Sequence, residues 1–100
     1  VSYSFLPEAE AAYLHAIRFY EEHRAGLGSA LVSEFERAVQ LAIERPQSWK
    51  MVHVSGIRRI GLRRFPFAMF FRTLPNGVIQ ITAFANHRQR PGYWFARAEV

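Results

Sequence analysis

The chain contains no cysteine. Disulfides, thiolate catalysis and Cys-ligated zinc are therefore excluded, and a reducing cytoplasm is the expected location. Aspartate is also missing, and every one of the eight acids is a glutamate. No histidine or glutamate pair stands at convincing metal-ligand spacing, so neither a metal nor any other cofactor is expected. No run of eighteen apolar residues occurs, so no membrane span is expected. Val1-Ser2-Tyr3-Ser4 has no basic region followed by an apolar core, and no signal peptide is expected. Lysine is reduced to Lys50, the other twelve basic residues being arginine.

One hundred residues suit one domain spanning 1–100. Half are hydrophobic and 15% aromatic, which argues for a packed core rather than disorder. The formal net charge is +5, and it is unevenly distributed. Residues 1–45 hold seven of the eight glutamates, whereas residues 46–100 hold nine basic residues against Glu99 alone. A half that basic attracts an anionic partner, either nucleic acid or an acidic protein surface. Arginine in place of lysine favours planar, bidentate contact with phosphate or carboxylate.

Residues 2–6 alternate and read as a short edge strand. Pro7 suits the first turn of a helix, and Glu8 and Glu10 suit its positive end. Tyr13, Ile17 and Tyr20, with Ala9, Ala12 and Ala16, repeat at helical spacing to about Arg24. Ala25-Gly26-Leu27-Gly28 breaks that helix, and Ser29 is the expected cap of a second. Leu31, Phe35, Ala38, Val39, Ala42 and Ile43 form its apolar stripe, and Pro46 stops it. Residues 57–65, 67–74 and 78–85 read as strands, the first two separated by Pro66. Asn76-Gly77 is the strongest hairpin signal. A two-residue turn there pairs Phe71 with Thr82 and Phe70 with Ala83. It puts Ala68, Phe70, Ile79, Ile81 and Ala83 on one face and Phe67, Met69, Phe71, Thr82 and Phe84 on the other. Helices cover only one apolar face of a sheet, so the second needs another cover, either Tyr93-Trp94-Phe95 or a partner.

Three segments together resemble the RelE/ParE superfamily of bacterial toxins. They are Gly26-Leu27-Gly28 in the helical hairpin, the run Arg58-Arg59-Ile60-Gly61-Leu62-Arg63-Arg64-Phe65-Pro66-Phe67, and the ending His87-Arg88-Gln89-Arg90-Pro91-Gly92-Tyr93-Trp94. The resemblance spans nearly the whole chain. It implies an α+β fold, β-α-α-β-β-β, with a helical hairpin packed on a curved, mostly antiparallel four-stranded sheet. It also implies the toxin of a type II toxin–antitoxin system that arrests growth. Such a toxin is cytoplasmic, is neutralised by a cognate antitoxin that wraps it, and forms an oligomer with that antitoxin.

The two branches of the superfamily differ in target. RelE-like members cut mRNA, typically in the ribosome, as metal-independent endoribonucleases, and ParE-like members poison DNA gyrase by binding. A ribonuclease would use His87 to move protons, Arg88 to hold phosphate, and Tyr93 or Trp94 to stack a base. Binding to the target or antitoxin would fall to Arg58, Arg59, Arg63, Arg64, Arg88, Arg90 and Trp94. The ribonuclease branch usually has an arginine just after an aromatic in the third strand, and Ala68 occupies that place here. A basic position in the preceding strand falls on Gly61, and the catalytic tyrosine falls on Trp94, whereas Arg59 and Arg88 match basic positions. A missing transition-state cation costs about 3 kcal/mol of barrier, roughly a hundredfold in rate, unless Arg58 or Arg64 replaces it. The balance leans toward ParE-like gyrase binding over mRNA cleavage, with a non-toxic RNA-binding module as a third reading. The plainer readings stand beside these: His87 as a strand-end hydrogen-bonding residue, the arginines as protection of an exposed strand, and Glu21 and Glu22 as solvated acids.

Overall fold

The computed structural model describes residues 3–86. The elements run β1 (Tyr3–Phe5), α1 (Pro7–His23), α2 (Leu27–Glu44), β2 (Arg58–Gly61), β3 (Phe67–Thr73) and β4 (Ile79–Asn86). This is the expected β-α-α-β-β-β order. The four strands form one sheet ordered β1-β4-β3-β2, antiparallel except where β1 lies parallel to β4.

Both helices follow from their apolar stripes. Pro7 occupies the first helical position of α1, where its missing N–H costs nothing, and Glu8 and Glu10 lie in that first turn. Ala9, Tyr13 and Ala16 of α1 are buried against the sheet, as are Leu31, Phe35, Ala38, Val39 and Ala42 of α2. Phe5, Tyr13, Phe35 and Phe84 form the aromatic centre of this core. The Tyr13 and Phe35 rings lie 4.1 Å apart, and Phe84 meets both edge-on. Fully burying a side chain such as Phe35, Phe71 or Phe84 is worth roughly 1.5–3 kcal/mol. Burial also pushes the Tyr13 phenol up to about 12, with the nearby Glu36 carboxylate and Tyr3 adding to the effect.

The cap of α2 differs from expectation. The helix begins at Leu27 after Gly26, whose φ of +93° suits glycine. Ser29 therefore lies inside the helix. The acceptor comes instead from α1: Glu21 takes the N–H of Gly26 at 3.0 Å and that of Gly28 at 2.9 Å. Glu21 is thus an inter-helix cap rather than a solvated acid. At the other end Arg45 closes α2 directly before Pro46, as expected.

The β3–β4 hairpin is a second correction. The Gly77 N–H donates to the Leu74 carbonyl, and the Leu74 N–H donates to the Val78 carbonyl. The loop is therefore the three residues Pro75-Asn76-Gly77, with Gly77 at φ +86°. That shifts the register by one residue near the turn, so Phe71 pairs with Ile81 rather than Thr82. A bulge between Phe70 and Phe71 restores the expected Phe70–Ala83 pair. Ile79 and Ile81 consequently join Met69, Phe71 and Phe84 under the helices. Ala68, Phe70, Ala83 and Ala85 take the opposite face with Ile57, and Val52 packs on them. Thr82, the extra residue, is fully buried, and its hydroxyl finds no hydrogen-bond partner among the described residues.

β2 is shorter than the strand expected over 57–65. Leu62 donates to the Phe67 carbonyl, closing the connection to β3, and residues 63–66 form the turn.

Candidate interaction surface

The arginines of β2 and the following turn do not share one face. Ile60 is buried under the helices, so strand alternation turns Arg58 to the helix side and Arg59 and Gly61 to the opposite side. Arg58 is held there by its Nη1, which donates to the Trp49 carbonyl at 2.8 Å. Trp49 is itself fastened through its indole N–H to the Leu41 carbonyl near the end of α2.

On the opposite face Gly61, Ala68 and Ala85 lie in one row across three strands, Gly61 pairing with Ala68 and Ala68 with Ala85. Gly61 and Ala68 are the two places at which the ribonuclease branch would supply cations. They are direct cross-strand partners, so one region of the sheet loses both. Arg59 reaches into it: its Nη1 stands 3.5 Å from the position a Cβ would take on Gly61. Arg58 is tied to Trp49 on the helix side, and Arg64 lies on the exposed turn with its guanidinium carbon 5.8 Å from the Phe65 ring centre. The guanidinium beside Gly61 is therefore that of Arg59, which the sequence already matched to a basic position, and not that of Arg58 or Arg64. Arg72, which the sequence did not single out, adds a second guanidinium to this face. Its Nε donates to Gln80 Oε1 at 2.8 Å across the β3–β4 pair.

Arg63 and Arg64 project from the β2–β3 turn and are exposed. The turn is anchored on each side by a buried residue, Leu62 and Phe65. Glu34 of α2 adds a third hold. Its Oε1 accepts the N–H of Arg63 at 2.7 Å and that of Arg64 at 3.4 Å. The only sequence signal for Glu34 was an acid on an amphipathic helix, and its partner lies 29 residues away.

An apolar groove of about 460 Å³ opens between α1 and the ends of β3 and β4, lined by His15, Phe19, Tyr20, Phe67, Phe84 and Asn86. Phe19 is half exposed there, and its ring meets that of His23 at a tilt, the centroids 4.3 Å apart. His53 is engaged locally with the Ser55 hydroxyl at 2.7 Å. Among the described residues no group of three metal-ligating side chains occurs, and no helix is long and apolar enough to cross a membrane. His87, Arg88, Arg90, Tyr93 and Trp94 lie outside the described residues, as does the Tyr93-Trp94-Phe95 cover expected for the second sheet face.

No protein-family model matches the chain, and no curated protein sequence matches it. Among solved structures it is similar to a chain of the chromosomal ParDE TA system from P. aeruginosa, with a TM-score of 0.70 at 20% sequence identity. The superposition covers 86% of this chain and 95% of that one. The two helices on a four-stranded mixed sheet are thus a fold that the two chains share.

Proposed function

We propose that this chain is the toxin of a type II toxin–antitoxin pair and acts as ParE-like toxins do, by binding DNA gyrase. The shared fold with a chain of the ParDE system supports the toxin reading. The observation that carries the choice of target is the Gly61–Ala68 pair, which itself supplies neither of the two cations that an RNA-cutting relative would place there and leaves Arg59 as the guanidinium beside it. Stabilising a phosphorane needs preorganised donors aimed at the developing charge. A binding toxin has no such requirement. Its cationic surface, with Arg59 and Arg72 on the sheet and Arg63 and Arg64 on the turn, serves recognition. A cognate antitoxin is the expected partner, in an oligomeric complex, within the cytoplasm.

The test is inhibition of gyrase supercoiling by the purified chain. Inhibition near equimolar ratio is expected, and none at several-fold excess over gyrase removes the reading. Ribosome-dependent mRNA cleavage is the second reading, favoured by the guanidinium of Arg59 beside Gly61. Primer extension on mRNA from cells expressing the chain would then show codon-positioned cuts that vanish in Arg59→Ala and Arg88→Ala. A non-toxic RNA-binding module gives neither result and no growth arrest.

A further inference from the structure

We infer that the Arg63–Arg64 turn is a preformed cationic prong for a carboxylate-rich protein segment, and that Glu34 is the residue that positions it. The choice of a protein segment as occupant rests on the reading of the chain as a toxin neutralised by a partner protein. The geometry of the prong does not.

Three features make the turn rigid. Leu62 and Phe65 are buried at 7% and 5% exposure on either side of the two arginines. The Leu62 N–H donates to the Phe67 carbonyl at 2.9 Å, and the Phe67 N–H donates to the Phe65 carbonyl at 2.8 Å. Glu34 then collects two successive backbone N–H groups with one carboxylate oxygen. A carboxylate this close to two arginines would ordinarily be read as their ion-pair partner. Here it is directed at the backbone, and among the described residues no carboxylate is bonded to either guanidinium. The acid thus fixes the turn and leaves the side-chain charges facing outward. Arg64 is further steadied against the Phe65 ring. Holding a loop in its bound shape removes an ordering cost from association.

The partner's chemistry follows from the surroundings. The prong abuts, through Glu34, the helical half that carries seven of the eight glutamates. A nucleic acid gains affinity by summing many phosphate contacts along a track, and a track extended beyond the prong over that half meets those carboxylates. Single strands also want exposed aromatic platforms, and Phe65 beside the prong is buried. A short acidic peptide needs only two matched, bidentate pairs.

The test uses the full chain and a fluorescein-labelled decaglutamate peptide, with a twelve-nucleotide DNA, single-stranded and duplex, as the competing probe. Anisotropy titrations at two salt concentrations read the affinity. Arg63→Gln/Arg64→Gln should weaken peptide binding about tenfold. Glu34→Ala should also weaken it, by roughly threefold or more, although it removes a negative charge. Glu34→Gln keeps an oxygen that can accept the same N–H groups and should bind at least as tightly as the parent. Hydrogen exchange at the Arg63 amide should accelerate in Glu34→Ala alone. Tighter peptide binding by Glu34→Ala would overturn the positioning role, since simple charge counting demands that result. Unchanged binding by the double arginine variant, or preference for DNA through the same two arginines, would overturn the choice of occupant. None of these readouts depends on toxicity or on gyrase, so failure here is separate from failure of the toxin reading.

Discussion

Arg59 lies along Gly61, its Nη1 3.5 Å from where a Cβ would stand, so the residue that lacks a side chain is accompanied by its neighbour's charge. That distance is ordinary van der Waals contact, and the backbone of Gly61 is not among those at positive φ. Gly61→Ala should therefore be accepted without displacing Arg59. It should stabilise the fold by about 0.4–1 kcal/mol through the unfolded chain, a rise in Tm of roughly 2–6 °C. Differential scanning calorimetry checks this. A fall in Tm would mean that the guanidinium is packed more tightly on Gly61 than the distances state.

The inter-helix cap separates two residues that the sequence ranked the other way round. Glu21→Ala should cost about 0.5–2 kcal/mol, because the N–H groups of Gly26 and Gly28 lose their acceptor. Ser29→Ala should change stability by less than about 0.5 kcal/mol. Urea unfolding of the two variants side by side decides it, and equal losses would return the capping role to Ser29.

Thr82 gives a prediction of opposite sign. Its hydroxyl is buried at the bulge without a partner among the described residues, so its desolvation is uncompensated. Thr82→Val keeps the branched shape and removes the orphan group, and should raise stability by about 1 kcal/mol. Destabilisation on chemical denaturation would show that the hydroxyl is bonded in solution, for instance to an ordered water.

Tyr13 makes stability fall at high pH. Its phenol ionises near 10 in the unfolded chain and near 12 in the fold, where burial opposes the charge. Between those values the unfolded state holds fewer protons than the native one, so the free energy of unfolding decreases as pH rises. The contribution is complete below pH 10 and is lost progressively from pH 10 to 12, amounting to roughly 1–3 kcal/mol. Tyr13→Phe should flatten that part of the curve in urea titrations at pH 8, 10 and 11. An unaltered alkaline slope in the variant would assign the loss to other groups.

Several of these relationships could not be found by reading along the chain. The hairpin is instructive because a correct local signal, Asn76-Gly77, gave a wrong register. Pro75 joins the loop, and the one-residue difference is taken back at the bulge. From Ile79 to Ala85 only Gln80 and Thr82 are polar. A strand apolar on both sides cannot say which side faces the helices, so the pattern had no power to detect either shift. The arginines are similar. Four of them within seven residues suggested one patch, yet alternation sends Arg58 and Arg59 to opposite faces and the turn carries Arg63 and Arg64 away from both.

What the chain's own order of residues determined is whatever is decided locally. Helical periodicity placed Ala9, Tyr13 and Ala16, and Leu31, Phe35 and Ala38, in the core. Proline at 7 and 46 bounded the two helices, and charge segregation separated an acidic helical half from a basic sheet half. Such properties depend on neighbours within a few residues, which a linear reading contains. Tertiary packing alone decided which carboxylate meets which backbone N–H, as with Glu21 at Gly28 and Glu34 at Arg63. It likewise decided which face Ile79 and Ile81 join and which guanidinium enters the strip at Gly61 and Ala68. Those outcomes follow from the relative placement of whole elements, and that placement minimises exposed apolar area and orphaned polar groups across the entire molecule at once.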